Sequence, residues 1–153
     1  MIAGGDVLGQ GSPSPQPPVH VEETGRSLPV RNKRTDPTAG VFNGETIVSR
    51  DDDASVADLH PFRGGGWPRV LVSHVESHVA ARMRRDELDE GELVLNNTTC
   101  GTRDFDRDWP LTCDKLLPPV LPAGARLTVW ATQDGGRTWW TTTYTGTGER
   151  IRA

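Results

Sequence analysis

Residues 73–88, SHVESHVAARMRRDEL, carry a helical stripe inside a chain whose other apolar runs are short and strand-like. Val75, Val79, Ala80 and Met83 recur at three- and four-residue spacing, which gives one apolar face on a regular helix. Ser73 is a natural N-cap, with Glu76 three residues later as in a capping box. A helix with a single apolar face needs a surface to cover, so the flanking segments must supply a sheet.

They do so in a definite order. GVFNGETIVS places Asn43-Gly44 between two apolar runs and predicts a hairpin over Val41–Ser49, because both central residues of a type I′ turn need positive φ. EGELVLNN reads as a short buried strand, and CDKLLPPVL as a short helix limited by its prolines. ARLTVWAT and RTWWTTTYTG are β-rich runs around an Asp-Gly turn in QDGG. In a strand Trp139 and Trp140 face opposite sides, so at most one of them lines the core. The order β-β-α-β-α-β-β implies an α/β sandwich with a mixed sheet ending in an antiparallel pair. Between the first hairpin and the first helix, DDDASVADLHPFRGGGWPR reads as a long irregular loop.

A chain of 153 residues fits one domain. Apolar residues make up 34% of it, and the deficit falls in the first forty, where Gly, Pro and Ser dominate. Residues 1–37 therefore read as a disordered linker and 38–153 as the folded domain. No run approaches the roughly 18 to 20 apolar residues of a membrane span, and MIAGGDVLGQGSPSPQPP lacks the regions of a signal peptide. The chain reads as soluble, and any export must depend on something outside it. A net charge of −4 argues against a broadly basic surface for nucleic acid. Arg82, Arg84 and Arg85 form the densest basic cluster and read as a solvated helix face.

Chemistry concentrates at the start of the helix. His74 and Glu76 would point about 200° apart within a regular helix, so they share a site only at its N-terminus. Cys113 opens the second helix and Cys100 ends the preceding strand region, so both thiols can approach that point. One histidine and two cysteines leave a fourth tetrahedral position open, as in catalytic zinc sites, with Glu76 as proton shuttle. HVESH also places His74 and His78 at i, i+4, but its glutamate is one position too late for the H-E-x-x-H of metalloproteases. Each residue has a plainer reading: a satisfied histidine, a capping glutamate, two buried thiols or a disulfide. Counting residues does not decide between them.

His-x-Glu at a helix start, a strand, then two cysteines near a second helix resembles the zinc-deaminase signature H-x-E…P-C-x-x-C. More specifically, SHVESHVAARMRR, LVLNNTTC and CDKLLPPVLPAGARLTVW resemble the DddA-like bacterial toxin deaminases. The sequence departs from the signature in Thr99, which replaces proline, and in GTRDFDRDWPLT, which separates the cysteines. The resemblance implies a three-layer α/β/α cytidine-deaminase-like sandwich that converts cytosine to uracil in DNA. It assigns Zn2+ to His74, Cys100 and Cys113, and general acid/base work to Glu76. Trp67 matches an aromatic-proline pair of the family and becomes the base-stacking candidate, with a core tryptophan as the alternative; Asn97 becomes a sugar or base contact, with a turn asparagine as the alternative. The resemblance further implies a monomeric antibacterial toxin module, secreted and acting in the target-cell cytoplasm, paired with a cognate immunity protein and independent of membranes. Single-stranded DNA is the favoured substrate, since an acidic chain has little charge to spare for opening a duplex. Two rivals stand beside this reading: a non-catalytic secreted binding domain with a Cys100–Cys113 disulfide, and a deaminase of RNA or free nucleosides.

Overall fold

In the computed structural model, which describes residues 15–62 and 64–152, β1 (Ala39–Phe42) and β2 (Glu45–Val48) are joined by the Asn43-Gly44 turn. Both turn residues take positive φ, 50° and 85°, as the type I′ geometry requires. Helices α2 (Arg69–Ser73) and α3 (Val75–Arg85), strand β3 (Glu90–Leu95), helix α4 (Cys113–Val120) and strands β4 (Arg126–Ala131) and β5 (Trp140–Thr145) follow. The sheet order is β2-β1-β3-β4-β5, with β3 and β4 parallel and every other neighbouring pair antiparallel. The mixed α/β sandwich expected from the sequence is the fold, and it ends in the antiparallel β4–β5 pair.

Strand β3 shows why both faces must be covered. Leu93 and Leu95 are fully buried in the main core with α3 and α4, while the intervening Val94 is buried in a second cluster on the opposite face. Val75, Val79, Ala80 and Met83 all have 0% exposure, so the helical stripe lies on the sheet as predicted. The N-cap does not fall where expected. His74, extended at φ −76° and ψ 148°, caps α3 without a side-chain bond, and its carbonyl accepts from the Ser77 and His78 N–H groups. Ser73 instead closes α2, its hydroxyl donating to the Arg69 carbonyl at 3.0 Å. The capping box is thus replaced by a sharp corner between two helices.

Arg84 also departs from expectation. Its side chain is only 3% exposed, and its guanidinium donates twice to Asp58, at 2.8 and 2.7 Å. It also donates to the carbonyls of Ser55 and Val120. The loop read as irregular therefore contributes Val56 and Leu59 to the core and is pinned to both helices through one buried cation. Arg82 pairs with Glu45 and Arg85 with Asp86, so the cluster is a set of separate ion pairs.

The linker reading of residues 1–37 needs correction over its described part; residues 1–14 lie outside the described residues. Helix α1 (Val19–Ser27) covers the second face of the sheet, where Val21 and Leu28 pack with Ala39, Val94 and Trp139. Its apolar pattern is too sparse to read because Gly25 makes part of the contact: any Cβ there would collide with the Trp139 indole. Both sheet faces being covered, Trp139 is buried against α1 and Trp140 packs partly against the main core, so the two tryptophans are both sheltered. The Asp-Gly turn is a longer loop, held by Asp134, which accepts from the N–H groups of Arg137 and Thr138 and from the hydroxyls of Thr132 and Thr138.

Two outcomes follow for stability. Trp139→Ala should cost about 3–5 kcal/mol, the range for truncating a buried aromatic, and a chain cut to residues 38–153 should unfold at lower denaturant than one of 15–153. The hydrogen bonds from Thr138 and its neighbours lower the Asp134 pKa to about 2, against about 3.9 for a free aspartate. Its stabilisation is therefore complete above about pH 4 and drains as pH falls toward 2. The stability gap between the wild type and Asp134→Asn, followed by denaturant melts across that window, should close.

Candidate metal centre and active site

The end of β3 is fixed before the site begins. Asn96, 2% exposed, accepts from the Ala39 N–H and donates to the Pro29 carbonyl, each at 2.9 Å. The chain then turns through Asn97–Thr99 to Cys100, while Cys113 is the first residue of α4. His74 reaches the same point from the α2–α3 corner. Its Nδ1 lies 3.6 Å from Cys100 Sγ and 3.5 Å from Cys113 Sγ, and all three donor atoms fall within 4.8 Å of one another. Both cysteines are free, so the disulfide alternative is not the state of this structure.

The twelve-residue insertion keeps the cysteines together because its ends close on each other. The Cys113 N–H donates to Cys100 Sγ at 3.0 Å, and the Asp114 N–H to the Cys100 carbonyl at 3.0 Å. Asp106, fully buried, organises the first half, accepting from the Gly101 and Arg103 N–H groups and from the Arg103 guanidinium. Trp109 stays exposed on this loop, edge-on to Phe105 at 5.7 Å between ring centroids.

The donor set fits a tetrahedral metal. Ideal zinc bonds of about 2.3 Å to sulfur and about 2.0 Å to nitrogen place N and S about 3.5 Å apart, which matches both His74–cysteine separations. The titratable groups of the cluster act on one another. The Cys113 thiol, together with the His74 ring and the Cys113 N–H, lowers Cys100 to about 5. Cys113, bonded to that sulfur and buried, is pushed well above the usual thiol range. Burial opposes a charged His74, but Cys100 and Glu76 outweigh it and raise its pKa. Burial also raises Glu76, with the His74 charge pulling the other way.

Glu76 is 4% exposed in the first turn of α3 and lines a cavity of about 410 Å³ with His74, Asn97 and Cys100. The helix-start argument is met: His74 precedes α3 and Glu76 is its second residue. Asn97 lines the cavity too, its side-chain carbonyl accepting from Gln133 at 2.7 Å. His78 belongs elsewhere, bonded to the Ser55 hydroxyl and the Arg50 carbonyl, so the i, i+4 histidine pair is not a metal site. Trp67 is not part of the cavity wall. A turn closed by the Phe62 N–H on the Gly66 carbonyl folds it back, half-buried, against the main core. Sequence reading missed much of the rest of the wall, which includes Arg31, residues 34–38 and 49–51, and Arg103. The basic run RNKR at 31–34 was the available signal, in a segment with no apolar periodicity to mark it as folded.

No curated protein matches the chain. The family model of SCP1.201-like deaminases, however, matches residues 13–150, from before α1 to beyond β5. Since that match takes in the sheet, both helical layers and every residue of the His74–Cys100–Cys113 cluster, the chain belongs to the SCP1.201-like deaminase family.

Proposed function

We propose that this deaminase is zinc-dependent and converts cytosine to uracil in DNA, with single strands favoured over duplex. The observation that carries the reading is the convergence of His74, Cys100 and Cys113 beside the buried Glu76, with His74, Glu76 and Cys100 lining one cavity. Zinc held by those three residues would supply a water activated near neutral pH. Glu76 would accept one water proton as the oxygen adds to C4 and pass it to N3; it would then take the remaining proton from the C4 hydroxyl and give it to the departing amine as the C4–N bond breaks, so that cytosine and water give uracil and ammonia. Burial of Glu76 suits this two-way traffic, because it brings the neutral and charged forms closer in energy. Asn97, on the cavity wall, would hold the base edge or sugar of an extruded nucleotide.

The chain would act as a monomeric toxin module in the target-cell cytoplasm, with an immunity protein covering this cavity in the producer. Among the described residues no helix is long and apolar enough to cross a membrane. Deamination of RNA or free nucleosides would use the same residues, and the substrate panel separates these options.

Purified protein should carry about one zinc per chain by elemental analysis, and His74→Ala or Cys113→Ala should lose it. Glu76→Ala should keep the metal yet lower turnover of cytosine-containing DNA by about 10²–10⁴. Metal loss in the Glu76 variant would reassign that residue to ligation. A uracil yield on duplex equal to or above that on single strands would overturn the strand preference.

A further inference from the structure

Four arginines, Arg31, Arg34, Arg50 and Arg103, line the cavity beside Asp36, Asp51 and Glu76, although the whole chain carries a net charge of −4. Two of these arginines are committed. Arg31 donates to the carbonyls of Asp36 and Arg34, at 3.0 and 2.8 Å, and holds its own loop closed. Arg103 is paired with the buried Asp106 at 2.6 Å. The two aspartates on the same wall are also occupied. Asp36 accepts from the N–H groups of Asn32 and Lys33, and Asp51 pairs with Arg69 at 3.2 Å.

Arg34 and Arg50 are different. Arg34 is exposed and its side chain makes no hydrogen bond or ion pair among the described residues. Arg50 is 72% exposed and reaches Asp52 only at 3.4 Å. Their backbones are nonetheless held. The Arg34 carbonyl is bound by Arg31, the Arg50 N–H donates to the Ser73 carbonyl at 3.0 Å, and the Arg50 carbonyl accepts from His78 at 2.8 Å. Fixed backbones beside the His74 corner thus carry unspent guanidinium groups at the mouth of the cavity that contains Glu76. Guanidinium groups so placed suit phosphate oxygens, which they bind through two parallel donors.

We propose that Arg34 and Arg50 bind the backbone phosphates flanking the target nucleotide, so that segment 31–38 is a wall of the substrate site and the substrate is a polynucleotide. The proposal rests on the reading of this cavity as the deaminase site. A free nucleoside offers these arginines nothing, and a mononucleotide offers one phosphate.

The test is anisotropy of a labelled, cytosine-containing single-stranded oligonucleotide bound to Glu76→Ala protein across a salt series, a readout that needs no turnover. Adding Arg34→Ala and Arg50→Ala should flatten the plot of log affinity against log salt by about 1.4, the effect of two lost phosphate contacts on single strands. Arg34→Lys with Arg50→Lys should keep the slope, which also guards against a folding defect. The pair Arg85→Ala and Arg126→Ala removes the same charge away from the cavity and should leave the slope unchanged. A trinucleotide with phosphates on both sides of its cytosine should outcompete deoxycytidine monophosphate. An unchanged slope in the Arg34/Arg50 variant, equal flattening in the distant pair, or equal competition by the mononucleotide would each overturn the proposal. Catalytically silent wild-type protein with the predicted slopes would instead sink the deaminase reading and leave the phosphate contacts standing.

Discussion

The parallel pairing of β3 with β4 is the constraint from which the site follows. Leu93 lies opposite Val129 and Leu95 opposite Ala131, so the chain must leave the C-terminal end of β3 and return to the N-terminal end of β4 by a crossover. That crossover contains Cys100, the insertion and α4, and it passes over the face already occupied by α3. The first turn of α3 is thereby set against the first turn of α4. Both thiols, the histidine and the glutamate meet at the C-terminal end of the parallel strands, where open α/β sheets commonly bind ligands.

What gathers there is an electrostatic problem that the fold solves only in part. A buried carboxyl, two thiols and an imidazole cannot all take their ordinary charges in so small a volume. The contact between the two thiols pushes Cys100 down and, with burial, Cys113 up. A divalent cation held by the same donors would allow both sulfurs to be thiolates. His74 Nδ1 already sits from each sulfur at the separation a tetrahedral ion needs.

The parts of this arrangement that were legible in the sequence are those written as periodicity or as local turn chemistry. The α3 stripe, the Asn43-Gly44 turn and the placement of Cys113 at a helix start are local signals, and each recurs in the structure. Helix α1 was not legible, because its docking uses a glycine against an indole more than a hundred residues away. Ser73 was misread as the N-cap for a related reason. Both Ser73 and His74 can begin a helix, and only the short α2 before them settles which carbonyl starts α3. Trp67 was placed by motif, yet the glycines before it allow a turn that returns the ring to the core.

Charge shows the same limit most sharply. RMRR at 82–85 and RNKR at 31–34 are nearly interchangeable as composition; the first reads as a solvated helix face and the second falls within the segment read as a linker. Packing gives them opposite fates. Arg84 is drawn into a buried pair with Asp58 and becomes a structural clamp between a loop and two helices. In the other run one arginine closes the loop so that its neighbour stands free at the cavity mouth. An acidic protein can therefore present positive potential where a polyanion must enter, provided its carboxylates are spent on backbone N–H groups and on other cations. Asp36 and Asp51 on this cavity's wall, and Asp106 behind Arg103, are each spent in that way, so the net charge of the chain does not by itself dictate which charges face the cavity.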